Sequence, residues 1–316
     1  VLASEDPHRA LALAAAAFYG AQPQTMVAVT GTSGKTSVAV FARQIFAHAG
    51  FEAASLGTIG TVTSRGAEYG SLTTPDPVTL HQTLAQLAGD GITHAALEAS
   101  SHGLDQRRLD GLRLAAAAFT NLGRDHLDYH ADVEDYLAAK LRLFETLLDA
   151  DRPVVLEPAA PYAGRVLAVA RERGHPVFTV GEGGEDLKLL DIRHEGFTQI
   201  LSLETADGPF EVRLPLAGRF QVSNALIAAG LAICCGIATD VALAALESLE
   251  GAPGRLELVG ETDDGALVFV DYAHKPDALD TALAALRPFT QGRLIVVFGA
   301  GGDRDPGKRP LMGQAA

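Results

Sequence analysis

Met26-Val27-Ala28-Val29-Thr30 runs straight into Gly31-Thr32-Ser33-Gly34-Lys35-Thr36-Ser37, and a helical apolar pattern follows from about Thr36 to Ala49, closed by Gly50. A short apolar run bounded by glycine reads as a buried strand, and the longer periodic run as a helix. Between them, glycines let the backbone turn so that successive N–H groups point inward at phosphate oxygens. The helix N-terminus adds partial positive charge, Lys35 adds a full one, and the Thr36 hydroxyl is placed to ligate Mg²⁺. This is the pattern of a phosphate-binding loop (P-loop). It is shorter than the common form, since only Thr32 and Ser33 separate Gly31 from Gly34-Lys35. An ordinary strand–helix turn with a surface lysine accounts less well for Gly-Lys-Thr at a helix start. A second glycine cluster, Gly299-Ala300-Gly301-Gly302, lacks G-x-G-x-x-G spacing and runs into Asp303-Arg304-Asp305, which argues against a dinucleotide site there.

Outward from the loop, apolar runs go on alternating with helical patterns, the signature of an α/β fold with a mostly parallel sheet. Strands are predicted at His94–Glu98, Ala115–Thr120, Pro153–Leu156 and Pro176–Val180. Helices are predicted at Pro7–Phe18, at Asp132–Leu148 with Asp132 as N-cap, and at Ala159–Arg173. From Leu187 to Leu214 the texture changes to alternating runs with turns at Glu195-Gly196 and Asp207-Gly208-Pro209, which predicts a small antiparallel sheet. Helices at Gln221–Cys235 and Asp240–Leu249 follow, and Gly251-Ala252-Pro253-Gly254 is the best internal boundary. Beyond it, Ala266–Asp271, a helix from Pro276 and a strand at Arg293–Phe298 begin a second α/β unit. Both ends are expected to be cut, because the chain lacks an initial Met and a helix opens at its last residues, RPLMGQAA.

The 316 residues suit about two domains, and 47% apolar content is ample for a core. Lys+Arg 25 against Asp+Glu 39 gives a net charge of −14, which argues against a nucleic-acid binder or an anionic-membrane partner. The two cysteines, Cys234 and Cys235, are adjacent in an apolar run. Helical neighbours do not bridge and two thiols do not make a zinc site, so they read as small core residues in a reducing cytosol. The uncharged stretches Ala10–Gly34 and Phe220–Thr239 are alanine-dominated and broken by glycine or polar residues, so no membrane insertion is expected. With no basic n-region at the start, a cytoplasmic, soluble protein is expected.

Two residues stand out by placement alone. Glu98 ends an apolar strand at the edge where α/β sheets hold ligands, and a carboxylate beside a phosphate loop is a natural Mg²⁺ partner. Lys140 shares a helix face with Val133, Tyr136, Phe144 and Leu147, so it reads as partly buried; the ordinary alternative is a lysine whose stem lies on apolar surface while its head reaches water.

The strings TGTSGKTS (30–37), TTPDP (73–77), EASSHGLDQRR (98–108), FTNLGRDHLDYH (119–130), YLAAKLRLF (136–144), GRFQVSNALIA (218–228), VDYAHKPDAL (270–279) and FGAGGDRDPGKRPLM (298–312) occur in this order. Together they resemble the Mur ligases of bacterial peptidoglycan synthesis. SSHGL, RDHLDYH and GGDRD-x-GKRPLM favour the tripeptide-synthetase (MurE-type) branch over other Mur ligases and folylpolyglutamate synthetase. The resemblance implies the tail of an N-terminal UDP-binding domain at 1–20, a central P-loop ATPase domain at 21–254 and the start of a Rossmann-like C-terminal domain at 255–316. It implies a monomeric, ATP- and Mg²⁺-dependent ligase. ATP would phosphorylate the terminal carboxylate of a UDP-N-acetylmuramoyl-dipeptide, and a diamino acid (meso-diaminopimelate, L-lysine or L-ornithine) would attack the acyl phosphate. The rivals are a folylpolyglutamate or cyanophycin-type ligase, and a nucleotide-binding module without ligation.

The same resemblance distributes roles. Gly31, Thr32, Ser33, Gly34, Lys35, Thr36 and Ser37 would hold the nucleotide phosphates, joined by Asn121, Asn224, Arg255, Asp271 and His274. Thr36, Glu98, His126 and Lys140 would serve Mg²⁺, with Lys140 carbamylated by CO₂ and with Lys35, Lys140 and His126 as the catalytic set. Thr73, Thr74, Ser100, Gln106 and Arg108 would meet the nucleotide-sugar peptide, and Arg304 the incoming amino acid. Leu72 stands before TTP where some relatives carry asparagine, so no contact is assigned there.

Overall fold

The computed structural model describes residues 3–300 and 307–316. In chain order the first elements are α1 (Pro7–Tyr19), β1 (Thr25–Thr30), α2 (Lys35–His48), β2 (Ala53–Gly57), β3 (Gly60–Thr63), β4 (Gly66–Glu68), α3 (Pro77–Gly89), β5 (His94–Glu98), α4 (Ser101–Asp105) and β6 (Ala116–Phe119). Then come α5 (Val133–Arg142), β7 (Val154–Leu156), α6 (Ala163–Arg173), β8 (Val177–Gly181), β9 (Leu187–Glu195), β10 (Thr198–Thr205), β11 (Gly208–Leu214), α7 (Arg219–Cys234) and α8 (Thr239–Ala245). The last are β12 (Glu257–Glu261), β13 (Leu267–Val270), α9 (Pro276–Leu286) and α10 (Lys308–Ala315).

The main sheet has 11 strands in the order β11-β10-β9-β8-β7-β6-β1-β5-β2-β3-β4. Its centre is parallel, with β1 paired to β5 and β6 on its two sides. Because β1 is buried on both faces, its side chains divide by alternation: Val27 and Val29 join the core beneath α2 and α7, Met26 and Ala28 the core beneath α3, α5 and α6. The central strands are built of small residues, with Ala95 and Ala96 on β5 and Ala116, Ala117 and Ala118 on β6, all at 1% exposure or less. Helix starts are set locally. Asp6 and Asp76 cap α1 and α3 ahead of prolines at their first positions, and Asp132 accepts from the Asp135 N–H at 2.9 Å to start α5.

Four expectations need amendment. The antiparallel strands β9, β10 and β11 form, but β9 pairs in parallel with β8, so they extend the main sheet; the separate antiparallel sheet is β12–β13. The helix from Asp132 is α-helical only to Arg142 and then loosens into one π-turn, Leu143–Leu147, where the buried ring of His175 hydrogen-bonds the Phe144 carbonyl at 2.8 Å. The helix placed from Ala159 starts at Ala163, since Tyr162 sits at φ 65° just after Pro161. Arg293–Phe298 is not a strand: β12 and β13 pair only with each other, and Ile295 and Val297 stay 72% and 96% exposed among the described residues. An apolar run without a ladder partner has nothing to satisfy its backbone groups as a strand.

No helix among the described residues is long and apolar enough to cross a membrane. Cys234 and Cys235 are unbridged and half-buried against the first core, and burial pushes both thiols up to about 12.

Candidate active site

A cleft of about 790 Å³ opens at the C-terminal ends of β1, β5, β6 and β7, where open α/β sheets place ligands. Its floor is the loop between β1 and α2. Gly31 sits at φ 150°, and a side chain there would overlap the Thr120 hydroxyl, which donates to the Ser33 carbonyl at 2.6 Å. The loop is further fixed by the Thr32 N–H donating to the Asn121 carbonyl at 2.8 Å and by the Asn121 side chain, whose Oδ1 accepts from the Ser33 N–H at 3.2 Å. Across the cleft, Asn224 on α7 lies against Gly34 and donates to Gln221 Oε1 at 2.9 Å.

Two lysines meet at one carbonyl. Lys35 Nζ folds back to donate to the Gly31 and Thr32 carbonyls at 2.8 and 2.9 Å. Lys140 Nζ, from α5, donates to the same Gly31 oxygen at 2.8 Å and lies 4.4 Å from the Tyr136 ring centroid. At 1% exposure, Lys140 is a buried amine that forms no ion pair with a carboxylate among the described residues. Burial lowers its pKa well below the ordinary lysine value and the Lys35 charge lowers it further, against the pull of Asp125. Burial also lowers Lys35, against the pull of Glu98 and Asp125.

Glu98, at the tip of β5, is 3% exposed. Its Oε1 accepts from the Thr58 N–H at 2.7 Å and its Oε2 from the Thr58 hydroxyl at 3.3 Å; that hydroxyl also meets the Thr73 hydroxyl at 3.1 Å. Gly57 has no side chain because one would overlap this carboxylate.

The lip of the cleft is basic and is supplied by the segment after the Gly251–Gly254 turn. Arg255 donates to the Thr36 hydroxyl at 3.3 Å and lies 4.5 Å from the Tyr272 ring centroid. Asp271 accepts from the Leu256 and Ala273 N–H groups, both at 2.8 Å, and so shapes the turn that carries Arg255, His274 and Lys275. Lys275 forms an ion pair with Asp125 on the opposite lip.

His126 adopts φ 53° and packs its ring 4.9 Å from His102 and 5.9 Å from Tyr136. Burial lowers its pKa to about 4 despite Asp125, so the imidazole is neutral near pH 7 with a lone pair to offer. Burial likewise lowers His81, His94 and His102. A histidine with a lowered folded pKa makes the unfolded chain the better proton binder between its folded value and about 6.5, so stability is held above that pH and lost as pH falls toward 4. Imidazole resonances are therefore expected to show His126 titrating near 4, with the melting temperature falling from pH 6.5 to 4.5 and less steeply in His126→Gln.

No group of three or more His, Cys, Asp or Glu side chains among the described residues could hold a metal ion alone. Glu98 and Thr36 lie in the phosphate cleft, and Mg²⁺ is commonly held by one or two carboxylates plus substrate phosphates. The donor set fits an ion completed by phosphate oxygens.

The sequence-derived residues fall into two adjoining groups. Lys35, Thr36, Thr73, Glu98, Ser100, Asn121, His126, Lys140, Asn224, Arg255, Asp271 and His274 line the cleft. Thr74, Gln106 and Arg108 form a network just beyond it: the Thr74 hydroxyl donates to the Glu98 carbonyl and meets the Ser100 hydroxyl, both at 2.9 Å, and Arg108 donates to Gln106 Oε1 and to the Thr74 carbonyl. Arg304 lies outside the described residues. Sequence reading missed Thr58, Asp125, Lys275 and Gln221, whose partners are remote in the chain or conferred by packing.

A family model for the Mur ligase middle domain matches residues 29–232. The chain belongs to the Mur ligase family. A second model of that family, the glutamate ligase domain, matches residues 254–316. A protein of Rhizobium meliloti (strain 1021) named UDP-N-acetylmuramoyl-L-alanyl-D-glutamate--2,6-diaminopimelate ligase is 60% identical over 316 residues, which cover 100% of this chain and 65% of that protein. A solved structure of a ligase bearing that name superposes with a TM-score of 0.81 at 33% identity, again over 100% of this chain and 65% of the other. A folylpolyglutamate synthetase complex shares the fold alone, with a TM-score of 0.73 at 19% identity, covering 97% of this chain and 82% of that one. This Mur ligase chain thus spans about two-thirds, 65%, of the length of the curated relative it matches.

Proposed function

We propose that this Mur ligase chain supplies the ATP- and Mg²⁺-binding, acyl-activating centre of a cytoplasmic, monomeric ligase that joins 2,6-diaminopimelate to UDP-N-acetylmuramoyl-L-alanyl-D-glutamate. The carrying observation is the convergence of the phosphate loop, the clamped Glu98 carboxylate and the buried Lys140 amine in one cleft whose lip carries Arg255 and Lys275. In this reading residues 1–20 end an N-terminal UDP-binding domain, 21–254 form the ATPase domain and 255–316 open the C-terminal one. The loop N–H groups and Lys35 hold the phosphates, with Asn121, Asn224, Arg255, Asp271 and His274 around the nucleotide. Thr73, Thr74, Ser100, Gln106 and Arg108 face the nucleotide-sugar peptide, and Arg304 the incoming amino acid.

A substrate carboxylate oxygen attacks the γ-phosphorus and ADP leaves; the amine then attacks the acyl carbon, phosphate leaves, and the amine's proton passes to solvent or a base. No protein nucleophile is needed, so rate comes from positioning and charge neutralisation. Mg²⁺ would be held by Glu98, Thr36, His126 and a Lys140 carbamate, and when bound it supplies positive charge at the transferring phosphoryl group. The carbamate forms when the neutral Lys140 amine adds CO₂ and loses a proton. The diaminopimelate assignment leans on the name carried by the 60% identical relative.

The test offers the full-length protein containing this chain ATP, the UDP-muramoyl dipeptide, and in parallel meso-diaminopimelate, L-lysine and L-ornithine. Phosphate release that needs both the dipeptide and diaminopimelate is expected. Nucleotide binding with only basal hydrolysis would replace the ligase with a binding module.

A further inference from the structure

The cleft continues past the phosphate loop to the tip of β7, and a carboxylate stands there that the ligation chemistry leaves unused. Glu157 follows the last residue of β7. Its Oε2 accepts from the Ser223 hydroxyl on α7 at 2.7 Å, its carboxylate packs over Gly181, where a side chain would begin 2.7 Å from Oε1, and no arginine or lysine among the described residues forms an ion pair with it. Oε1 has no hydrogen-bond donor among the described residues. An ionised carboxylate is acceptor-only, so this half-buried oxygen is set to receive a donor from a ligand. Lys35 and Lys140 are engaged at the Gly31 carbonyl, Arg255 at the Thr36 hydroxyl and Lys275 at Asp125, and none of them bonds Glu157.

Sheet order fixes its distance from the loop. The tips of β1, β6 and β7 follow one another across the sheet; they carry the phosphate loop, Asn121 and Glu157 respectively. Neighbouring strands stand about 4.8 Å apart, so Glu157 lies about 10 Å along the crevice from the loop, two strand steps away. On α7, Phe220, Ser223, Asn224 and Ile227 share one face by helical spacing and line the cleft, with Asn224 against Gly34 and Ser223 at Glu157. Phe220, Ile227, Ala159, Ala160 and Pro161 give this end apolar walls, which suit a flat ring better than a ribose.

We infer that Glu157 selects the nucleotide's base: Oε1 accepts from the exocyclic amine of adenine and opposes the oxygen that guanine or hypoxanthine carries at that position. This rests on the reading of the cleft as a nucleotide site. The Ser223 hydroxyl is the positioning group, holding the carboxylate in one orientation so that its second oxygen faces the ring.

The test is equilibrium binding of ADP, IDP and 2′-deoxy-ADP, by calorimetry, to the full-length protein containing this chain and its Glu157→Gln, Glu157→Ala and Ser223→Ala variants, each checked for an unchanged melting transition. The wild type is expected to prefer ADP to IDP by about tenfold or more, the scale of one hydrogen bond to a charged group. Glu157→Gln, which can present either an oxygen or an NH₂, and Glu157→Ala are expected to bring the two affinities within about threefold of each other, with Ser223→Ala between. An ADP:IDP ratio unmoved in both Glu157 variants, or an equal loss for both nucleotides, overturns the inference while leaving the nucleotide site standing. A discrimination against 2′-deoxy-ADP that vanishes with Glu157, with the ADP:IDP ratio unmoved, would assign the carboxylate to the ribose and overturn it too. Failure of the wild type to bind any of the three removes the nucleotide reading itself.

Discussion

Lys35→Ala is expected to lower ligation in the full-length protein by about 10³-fold or more, the order of losing a principal electrostatic stabiliser of phosphoryl transfer. The fold should survive. Among the described residues Lys35 Nζ bonds only carbonyls of its own loop, and the turn is held independently by Thr120, Asn121 and the glycines. In the free chain the amine rests on the Gly31 and Thr32 carbonyls; an arriving phosphate offers it a full negative charge in their place, a stronger charge-assisted bond. The variant should therefore melt near the wild type while losing nucleotide affinity and turnover together, as read by calorimetry and phosphate release. Near-normal turnover would remove the phosphate loop from the mechanism.

Lys140→Ala is expected to abolish activity, and it separates two states of one side chain. As a carbamate, Lys140 would present a hard oxygen anion beside Glu98 and His126, the ligand type Mg²⁺ prefers. As an ammonium it would repel the ion and could only pair with phosphate or carboxylate. The first is the state we propose: the amine is 1% exposed, pairs with no carboxylate among the described residues, and burial and the Lys35 charge lower its pKa, which eases the proton loss that carbamylation requires. The carbamate predicts that removing CO₂ and bicarbonate slows the wild type, that a short-chain carboxylic acid partly restores Lys140→Ala by filling the space, and that Lys140→Arg is inactive. An active, CO₂-insensitive Lys140→Arg enzyme would establish the ammonium instead.

How far the sequence foretold these sites depends on how local the cause is. The strand, glycine loop and helix at 25–48 are written in consecutive residues, and β5 was bounded correctly from an apolar run alone. Lys140 was legible because helical spacing put a lysine on the face of Tyr136 and Phe144, and both of these are buried. Thr58 was not legible: it clamps Glu98 from forty residues away in the chain, and no pattern around a lone threonine announces such a partner. The Asp125–Lys275 pair joins the two lips of the cleft across a still longer separation, and Gln221 becomes informative only once Asn224 is seen against Gly34. The π-turn after Arg142 was hidden for the same reason, since the group that meets its Phe144 carbonyl is His175. At Arg293–Phe298 the local pattern was a strand pattern, but a strand is a property of a pair, and none is formed there among the described residues.

The alanines of β5 and β6 have a consequence for motion. An alanine has no χ rotamers to lose on folding and none to exchange afterwards. The layer beneath the phosphate loop, from Ala95 and Ala96 through Ala28 to Ala116, Ala117 and Ala118, is therefore without rotamer exchange at those six positions, and any repacking in these strands falls to the larger side chains beside them, Met26, Val27, Val29, Leu97 and Phe119. Adjustment to a nucleotide is expected above that layer, in side chains such as Lys35 that trade one oxygen for another, with the alanine layer spacing Gly31, Glu98 and Asn121 from below.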